Sequence, residues 1–145
     1  IPKKENKAGA NMIDGKLADR LPLQILLAED NAINQKLAVL TFEKMGYCVD
    51  VANNGFEALH AVQQKVYDII FMDMQMPEMN GLDATRQIRK LANGTTIPVI
   101  ALTGNAFSED KMRCFDAGMS DFLTKPFNIK TLFETLLKWL SQASR

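Results

Sequence analysis

Residues that can hold a divalent cation or a phosphoryl group follow short apolar segments at four places in this chain. They are Glu29 and Asp30 after ILLA, Asp73 after IIFM, Thr103 after VIAL, and Lys125 after MSDFLT. Carboxylates supply the oxygen ligands that Mg²⁺ prefers, and a carboxylate can attack phosphorus to form an aspartyl phosphate. A hydroxyl can donate a hydrogen bond to one phosphoryl oxygen, and an ammonium group can neutralise charge on another. These residue types predict Mg²⁺-dependent phosphoryl chemistry if the fold brings them together.

The segments before these residues have the pattern of buried parallel strands. Each is short and mainly apolar, and stretches of helical length separate them, as expected when helices cover both faces of a sheet. The predicted strands are 24–28, 47–52, 68–72, 97–102 and 119–123. Five such strands predict an α/β fold with a parallel sheet of order 2-1-3-4-5 and helices on both faces. In that order Asp30 and Asp73 end the two central strands, at the switch point where open α/β sheets bind ligands.

Helix start and stop signals lie between these strands. The first helix is predicted over 32–45, with Asp30 or Asn31 as its N-cap and Gly46 just after its end. The last helix is predicted to begin after Asn128 and to carry an apolar stripe with helical spacing. The residues predicted to form the buried side of the first helix are Ile33, Leu37, Leu40 and Met45.

Length and composition indicate one folded domain with a polar N-terminal segment. The 145 residues include 17 basic and 17 acidic residues, a balance that predicts no nucleic-acid surface and no direct membrane contact. Residues 1–20 are polar and aperiodic, so we predict a flexible linker or tether, or a remnant of cloning, before a folded domain at 21–145. Cys48 and Cys114 have no metal-ligand spacing, which favours a reduced, cytoplasmic setting.

Four segments of the chain resemble a known family. LLAEDNAINQ, IIFMDMQMPEMNG, VIALTGNAF and AGMSDFLTKPF, in this order and spacing, are similar to the receiver domain of two-component response regulators. The similarity covers about residues 23–140 and implies the flavodoxin-like (βα)5 receiver fold. It also implies that Asp73 is the phosphoacceptor, which takes a phosphoryl group from a phosphohistidine and then relays it or switches the conformation of the domain.

The resemblance implies a specific set of metal ligands. Glu29 and Asp30 correspond to the acidic pair of receivers, and Asp73 and the backbone carbonyl of Gln75 complete the site. The implied cation is Mg²⁺, for which Mn²⁺ can substitute. Glu29 is adjacent to Asp30, so in a regular strand its side chain would point elsewhere, and we expect it to contact a metal-bound water.

The resemblance also assigns the catalytic and switch residues. Thr103 and Lys125 match the hydroxyl and the lysine that contact the phosphoryl group, and Lys125 is expected to pair with Asp73 in the resting state. Thr103 and Phe122 match the switch pair. Many receivers carry Tyr at the position of Phe122, and Ala is common in similar sequences at the position of Gly104, which is expected to leave room for the phosphoryl group.

The implied partners are proteins that carry a phosphohistidine. These are the phosphohistidine domain of a histidine kinase, a histidine phosphotransfer protein, or both. The domain would catalyse its own Mg²⁺-dependent phosphorylation and dephosphorylation, and the parent protein would be a histidine kinase. Since no ATP-binding motif or output domain accompanies the receiver, we expect the carboxyl-terminal receiver of a hybrid sensor histidine kinase, with a free-standing single-domain regulator as the alternative.

Two other functional classes use related sites. A phosphatase of the haloacid dehalogenase type would need a second Asp two residues after the nucleophile, where this chain has Gln75. A flavodoxin-like electron carrier would need a hydroxyl- and glycine-rich loop after the first strand, where this chain has EDNAIN. Turnover of phosphate esters would identify the first class, and visible flavin absorbance the second.

Overall fold

A computed structural model of the chain describes residues 23–104, 108–125 and 127–143. Five strands and five α-helices alternate over these residues, with one 3₁₀ turn, Ala92–Gly94, before the fourth strand. None of these helices combines the length and hydropathy of a membrane span. The predicted linker, residues 1–20, lies outside the described residues. The elements are β1 Ile25–Ala28, α1 Ala32–Lys44, β2 Asp50–Ala52, α2 Gly55–Gln64, β3 Ile69–Asp73, α3 Gly81–Arg89, β4 Val99–Thr103, α4 Ser108–Ala117, β5 Asp121–Thr124 and α5 Ile129–Ala143.

The five strands form one parallel sheet of order β2-β1-β3-β4-β5, which confirms the predicted fold class and strand order. Ala28 pairs with Met72 at the end of the β1–β3 ladder, and Thr103 pairs with Thr124 at the end of the β4–β5 ladder. Because the strands end at nearly the same level, the residues that follow them meet at one edge of the sheet.

Apolar side chains are buried on both faces of the sheet. On one face, residues of α2, α3 and α4 pack against alternate residues of β3, such as Ile70 and Met72. On the other, residues of α1 and α5 pack against Ile69 and Phe71. The rings of Phe42 and Phe71 meet edge to face with centroids 5.2 Å apart. Each such large buried side chain contributes about 1.5–3 kcal/mol, so the central strands form a rigid support for the loops at their ends.

The buried side of α1 differs from the predicted one. The exposed fractions of Ile33, Leu37 and Leu40 are 71%, 56% and 45%. The residues that face the sheet are Ala38 and Phe42, and of the predicted set only Met45 is buried. The spacing i, i+4, i+7 relates the exposed residues Ile33, Leu37 and Leu40 to one another, and it also relates the buried residues Ala38, Phe42 and Met45. Helical periodicity alone therefore does not distinguish the inner stripe from the outer one.

The edge strand β2 is shorter than predicted, because only Asp50–Ala52 pairs with β1. Val51 of this edge strand is 40% exposed. Asp50 accepts hydrogen bonds from the Tyr67 hydroxyl (2.7 Å) and the Lys65 ammonium group (2.9 Å), and these contacts hold the edge strand to the segment after α2.

Asparagine side chains cap four of the helices that follow strand-end loops. Each accepts a hydrogen bond from the backbone N–H three residues later, which satisfies a donor that the helix leaves unpaired. The predicted caps Asn31 and Asn128 are confirmed, and Gly46 follows α1 with φ +91°. The donor–acceptor distances are 3.0 Å for Asn31, 2.8 Å for Asn54, 2.8 Å for Asn80 and 2.9 Å for Asn128.

Arg89 stabilises the opposite, amino-terminal edge of the sheet. Its guanidinium donates to the carbonyl oxygens of Gly118 (2.8 Å), Gly94 (2.9 Å) and Ile97 (2.6 Å). A planar guanidinium suits several acceptors at fixed angles better than a lysine would. The segments that lead into β4 and β5 are thereby held together, away from the edge where the polar residues gather.

Candidate active site

A cleft of about 360 Å³ opens at the carboxyl edge of the sheet, between the loops that follow β1, β3, β4 and β5. It contains every residue that the sequence predicted for catalysis or metal binding. Of the predicted site residues, only the switch residue Phe122 does not line it. The lining residues are Glu29, Asp30, Asn31, Asn34, Asp73, Met74, Gln75, Leu102, Thr103, Gly104 and Lys125.

Three carboxylates converge in this cleft. One oxygen atom from each of Glu29, Asp30 and Asp73 lies within 4.8 Å of the other two. Glu29 is 1% and Asp73 7% exposed, while Asp30 is exposed at the mouth. Carboxylates at this distance repel one another, and a divalent cation relieves the repulsion. An all-oxygen donor set with one solvent-facing side fits Mg²⁺, which keeps several of its waters in protein sites.

Glu29 points into the cleft, so the expectation that its side chain would point elsewhere was wrong. β1 ends at Ala28, so the alternation of a strand does not extend to Glu29. Oε1 of Glu29 lies 3.2 Å from Nζ of Lys125, and Oε2 accepts a hydrogen bond from the Asn31 N–H at 3.1 Å. Both oxygens of Glu29 therefore have partners, whereas Asp30 is exposed at the mouth of the cleft.

Lys125 bridges two of the carboxylates. Its Nζ lies 3.3 Å from Oδ2 of Asp73, the expected partner, and 3.2 Å from Oε1 of Glu29, which sequence reasoning missed. The Lys125 N–H donates to the Thr103 carbonyl at 2.7 Å and extends the β4–β5 pairing by one step toward the cleft. Burial alone would lower the pKa of Lys125, but the charges of Asp73 and Glu29 raise it above its ordinary value, so the ammonium group stays charged.

The pKa of Asp73 is raised from 3.8 to about 6. Burial is the largest cause, followed by the nearby charge of Glu29 and a hydrogen bond between the two carboxyl groups. The Gln75 N–H, which donates to Oδ1 of Asp73 at 3.2 Å, and the charge of Lys125 act in the opposite direction. Asp73 therefore carries a negative charge that is unfavourable without a cation, although Lys125 stands beside it.

Gly81, at the start of α3, and Gly104, which lines the cleft, differ in the space that a side chain would find. A Cβ atom added to Gly81 would lie 2.0 Å from the Asp73 carbonyl oxygen, so only glycine lets the start of α3 approach the end of β3 this closely. A Cβ atom added to Gly104 would meet nothing within 4 Å, so the room beside Thr103 does not depend on glycine.

Phe122 lies on β5 and packs at the margin of the core next to α4. It pairs with Ala101 of β4, two residues before Thr103. Nζ of Lys111, on α4, lies 4.7 Å from the centroid of the Phe122 ring, within the range of a cation–π contact. The ring is only partly buried, so its orientation depends on α4 as well as on β5.

Comparisons with known proteins point to one family. The family model described as "Response regulator receiver domain" matches residues 25–137. The sensor histidine kinase GacS of Pseudomonas protegens is 38% identical over 132 residues, which cover 89% of this chain and 14% of that protein. The chain spans 15% of the length of the probable histidine kinase 1 of Oryza sativa and 6% of the length of the hybrid signal transduction histidine kinase B of Dictyostelium discoideum.

Two solved structures are similar in sequence and fold. The receiver domain of the sensor histidine kinase PA1611 from Pseudomonas aeruginosa has a TM-score of 0.78 and 39% identity, covering 82% of this chain and 98% of that one. It was solved with a magnesium ion coordinated in its active site cleft. The receiver domain of the Saccharomyces cerevisiae response regulator Ssk1, solved with the histidine phosphotransfer protein Ypd1, has a TM-score of 0.74 and 31% identity, covering 81% and 88%.

Proposed function

We propose that Asp73 accepts a phosphoryl group from a phosphohistidine, since this chain belongs to the response regulator receiver domain family. The chain is a receiver domain of two-component phosphorelay signalling. The observation that carries the proposal is the convergence of Glu29, Asp30 and Asp73 within 4.8 Å, at the end of β3, where the cleft opens toward a phosphoryl donor. Lys125, 3.3 Å from Asp73, supplies the neighbouring positive charge.

In the proposed reaction, a carboxylate oxygen of Asp73 attacks phosphorus as the bond from phosphorus to the donor imidazole nitrogen breaks. The electron pair of that bond returns to the imidazole. The Thr103 hydroxyl donates to one phosphoryl oxygen, and the Lys125 ammonium group moves from Asp73 to another. The protein therefore mainly positions groups and neutralises charge, as expected for phosphoryl transfer.

Asp30, Asp73 and the backbone carbonyl of Gln75 would hold the cation directly, and Glu29 would contact it through water. When bound, Mg²⁺ supplies positive charge opposite the phosphoryl oxygens. The oxygen donors of the cleft support this assignment, and Mn²⁺ can take the same place because it shares the preference for oxygen ligands.

Cys48 is exposed and forms no disulfide, which supports a reducing, cytoplasmic setting.

Removal of metal tests this function. Incubation with acetyl phosphate and Mg²⁺ should add one phosphoryl group to the chain, detected by intact mass and by a phosphate-affinity gel. An excess of EDTA should lower the labelling rate by about 100-fold or more, because the three carboxylates then repel the incoming anion. Equal labelling with and without EDTA would overturn the metal assignment. Rapid turnover of p-nitrophenyl phosphate would instead favour a phosphatase.

The proposed partner is the phosphohistidine domain of a histidine kinase or a histidine phosphotransfer protein. The apolar stripe of Ile33, Leu37 and Leu40 on α1 is exposed, and Asn34 of the same helix lines the cleft. A partner that covers this stripe would bring its phosphohistidine toward Asp73. The relatives support a hybrid sensor histidine kinase as the parent protein, with a single-domain regulator as the alternative, and the domain order of the full-length protein would decide between them.

A charge on this stripe should separate docking from chemistry. Leu37→Glu is expected to slow transfer from phosphorylated Ypd1 by about tenfold or more, since central apolar contacts dominate interface energies. Labelling by acetyl phosphate should stay unchanged. Val66→Glu, at an exposed position after α2, is the control and should affect neither reaction. If Leu37→Glu transfers as fast as wild type, the partner does not dock on α1.

A further inference from the structure

The two halves of the proposed metal site lie beyond the β1–β3 ladder: one is the loop after β1, with Glu29 and Asp30, and the other is the end of β3, where Asp73 is followed by the loop of Gln75. The β1–β3 ladder ends at Ala28 and Met72. Beyond it, the loop that carries Glu29 and Asp30 turns into α1, and the loop of residues 74–80 turns into α3. Metal ligands must be held within a few tenths of an ångström, so other contacts have to set the distance between these loops.

The turn of residues 52–55, between β2 and α2, contacts the 74–80 loop. The Gly55 N–H donates to the Met79 carbonyl at 2.9 Å, and a Cβ atom on Gly55 would lie 2.3 Å from that oxygen. Nδ2 of Asn54 donates to Oε2 of Glu78 at 3.1 Å. Glu78 has φ +67°, a left-handed conformation that is unfavourable for a residue with a side chain. Contacts with the 52–55 turn offset the cost of that conformation.

The same turn contacts the loop that carries the acidic pair. Nε2 of Gln35, on α1, donates both to the Glu29 carbonyl oxygen and to Oδ1 of Asn53, the latter at 2.6 Å. The Glu29 N–H donates to the Ala52 carbonyl at 3.0 Å. Asn53 is itself held in place, because its amide Nδ2 donates to Oε1 of Glu57 at 3.1 Å. One short turn is therefore bonded to both halves of the site.

We infer that the 52–55 turn sets the spacing of the metal site, with Asn54 and Gln35 as positioning residues for Mg²⁺ binding. Neither residue is a ligand in the proposed function, on which this inference rests. Each acts through a backbone segment: Asn54 through Glu78 and its loop, and Gln35 through the carbonyl of Glu29. Outer contacts of this kind typically change metal affinity by about 10- to 100-fold when they are lost.

Asn54→Asp tests the inference with the smallest change of shape. Aspartate still caps α2, but it replaces the donor to Glu78 with a carboxylate that repels it. An added negative charge alone would tighten Mg²⁺ binding, whereas displacement of the 74–80 loop would weaken it. We expect Mg²⁺ affinity, measured by calorimetry or by amide shifts in an NMR titration, to fall by about tenfold. The double variant Asn54→Asp/Glu78→Gln restores a donor and should return to within about twofold of wild type.

Gln35→Met tests the other half, because methionine keeps the length and helix propensity of glutamine but has no donor. It should also weaken Mg²⁺ binding by about tenfold, while Gln87→Met, at an exposed position on α3, should not. Unchanged or tighter Mg²⁺ binding by Asn54→Asp, or a loss of unfolding free energy in urea without a change in Mg²⁺ affinity, would overturn the inference. If wild type binds no Mg²⁺, the proposed function fails first and the positioning role falls with it.

Discussion

Replacement of Asp73 by asparagine is expected to abolish phosphorylation and to stabilise the metal-free fold. The amide has no nucleophilic oxygen, so labelling by acetyl phosphate in Mg²⁺ should fall by about 100-fold or more. Intact mass measures this loss. Asp116→Asn, at an exposed position on α4, is the control and should be labelled like wild type. Equal labelling of Asp73→Asn and wild type would contradict the assignment of the phosphoacceptor.

The gain in stability follows from the raised pKa of Asp73. The folded-state pKa, about 6, lies above the ordinary value of 3.8, so between these pH values the native state keeps a proton that the unfolded chain has lost. The free energy of unfolding of wild type therefore falls as pH rises through this interval. At pH 7 in EDTA, we expect Asp73→Asn to exceed wild type by on the order of 2 kcal/mol in urea unfolding. A less stable variant would mean that the ion pair between Asp73 and Lys125 stabilises the fold by more than the burial of Asp73 and its repulsion by Glu29 destabilise it.

The same variant tests the switch. A beryllium fluoride adduct on Asp73 should draw the Thr103 hydroxyl toward it and shift the packing of Phe122, whose ring contacts Lys111 of α4. On addition of beryllium fluoride, the NMR chemical shifts of Thr103, Phe122 and Lys111 should change in wild type and remain unchanged in Asp73→Asn. Shifts confined to residues that line the cleft would mean that the domain relays phosphate without a conformational output.

The sheet and most of the site were predictable from sequence because they depend on local patterns. Strands that are buried on both faces are continuous apolar segments. Parallel strands that end at a similar height in the sheet place Asp73 and Thr103 at the same edge. The inner side of α1 was not predictable. Leu37 and Ala38 belong to stripes of identical spacing, and only the path of the flanking loops decides which one meets the sheet.

Polar contacts between residues far apart in sequence could not be predicted from local patterns either. Lys125 and Glu29 are 96 positions apart, and no periodicity links them. Their contact depends on where β1 and β5 end in three dimensions, and on the fact that Glu29 lies just past β1. The bond between Asn54 and Glu78 has the same origin, since each residue taken alone has the sequence features of an ordinary turn or cap.

Replacement of Lys125 by methionine is expected to slow phosphorylation and to tighten metal binding. Methionine keeps most of the apolar stem but removes the charge that neutralises a phosphoryl oxygen, so labelling should fall by about 100-fold. Loss of a cation 3.2–3.3 Å from Glu29 and Asp73 leaves the carboxylates less neutralised, so Mg²⁺ affinity should rise by a factor of about 3 to 10. Lys130→Met, at an exposed position on α5, is the matched control.

The free energy of unfolding of Lys125→Met should depend on Mg²⁺ more strongly than that of wild type. Glu29 is 1% exposed and would lose its ion pair with the partly exposed Lys125, so in EDTA the free energy of unfolding should fall by roughly 1–3 kcal/mol. Saturating Mg²⁺ should recover most of that loss, because the cation replaces the missing positive charge. Urea unfolding with and without Mg²⁺ measures both effects. A variant that unfolds equally in both conditions would show that Lys125 supports packing, whereas recovery by Mg²⁺ would show that its charge balances the same carboxylates that bind the metal.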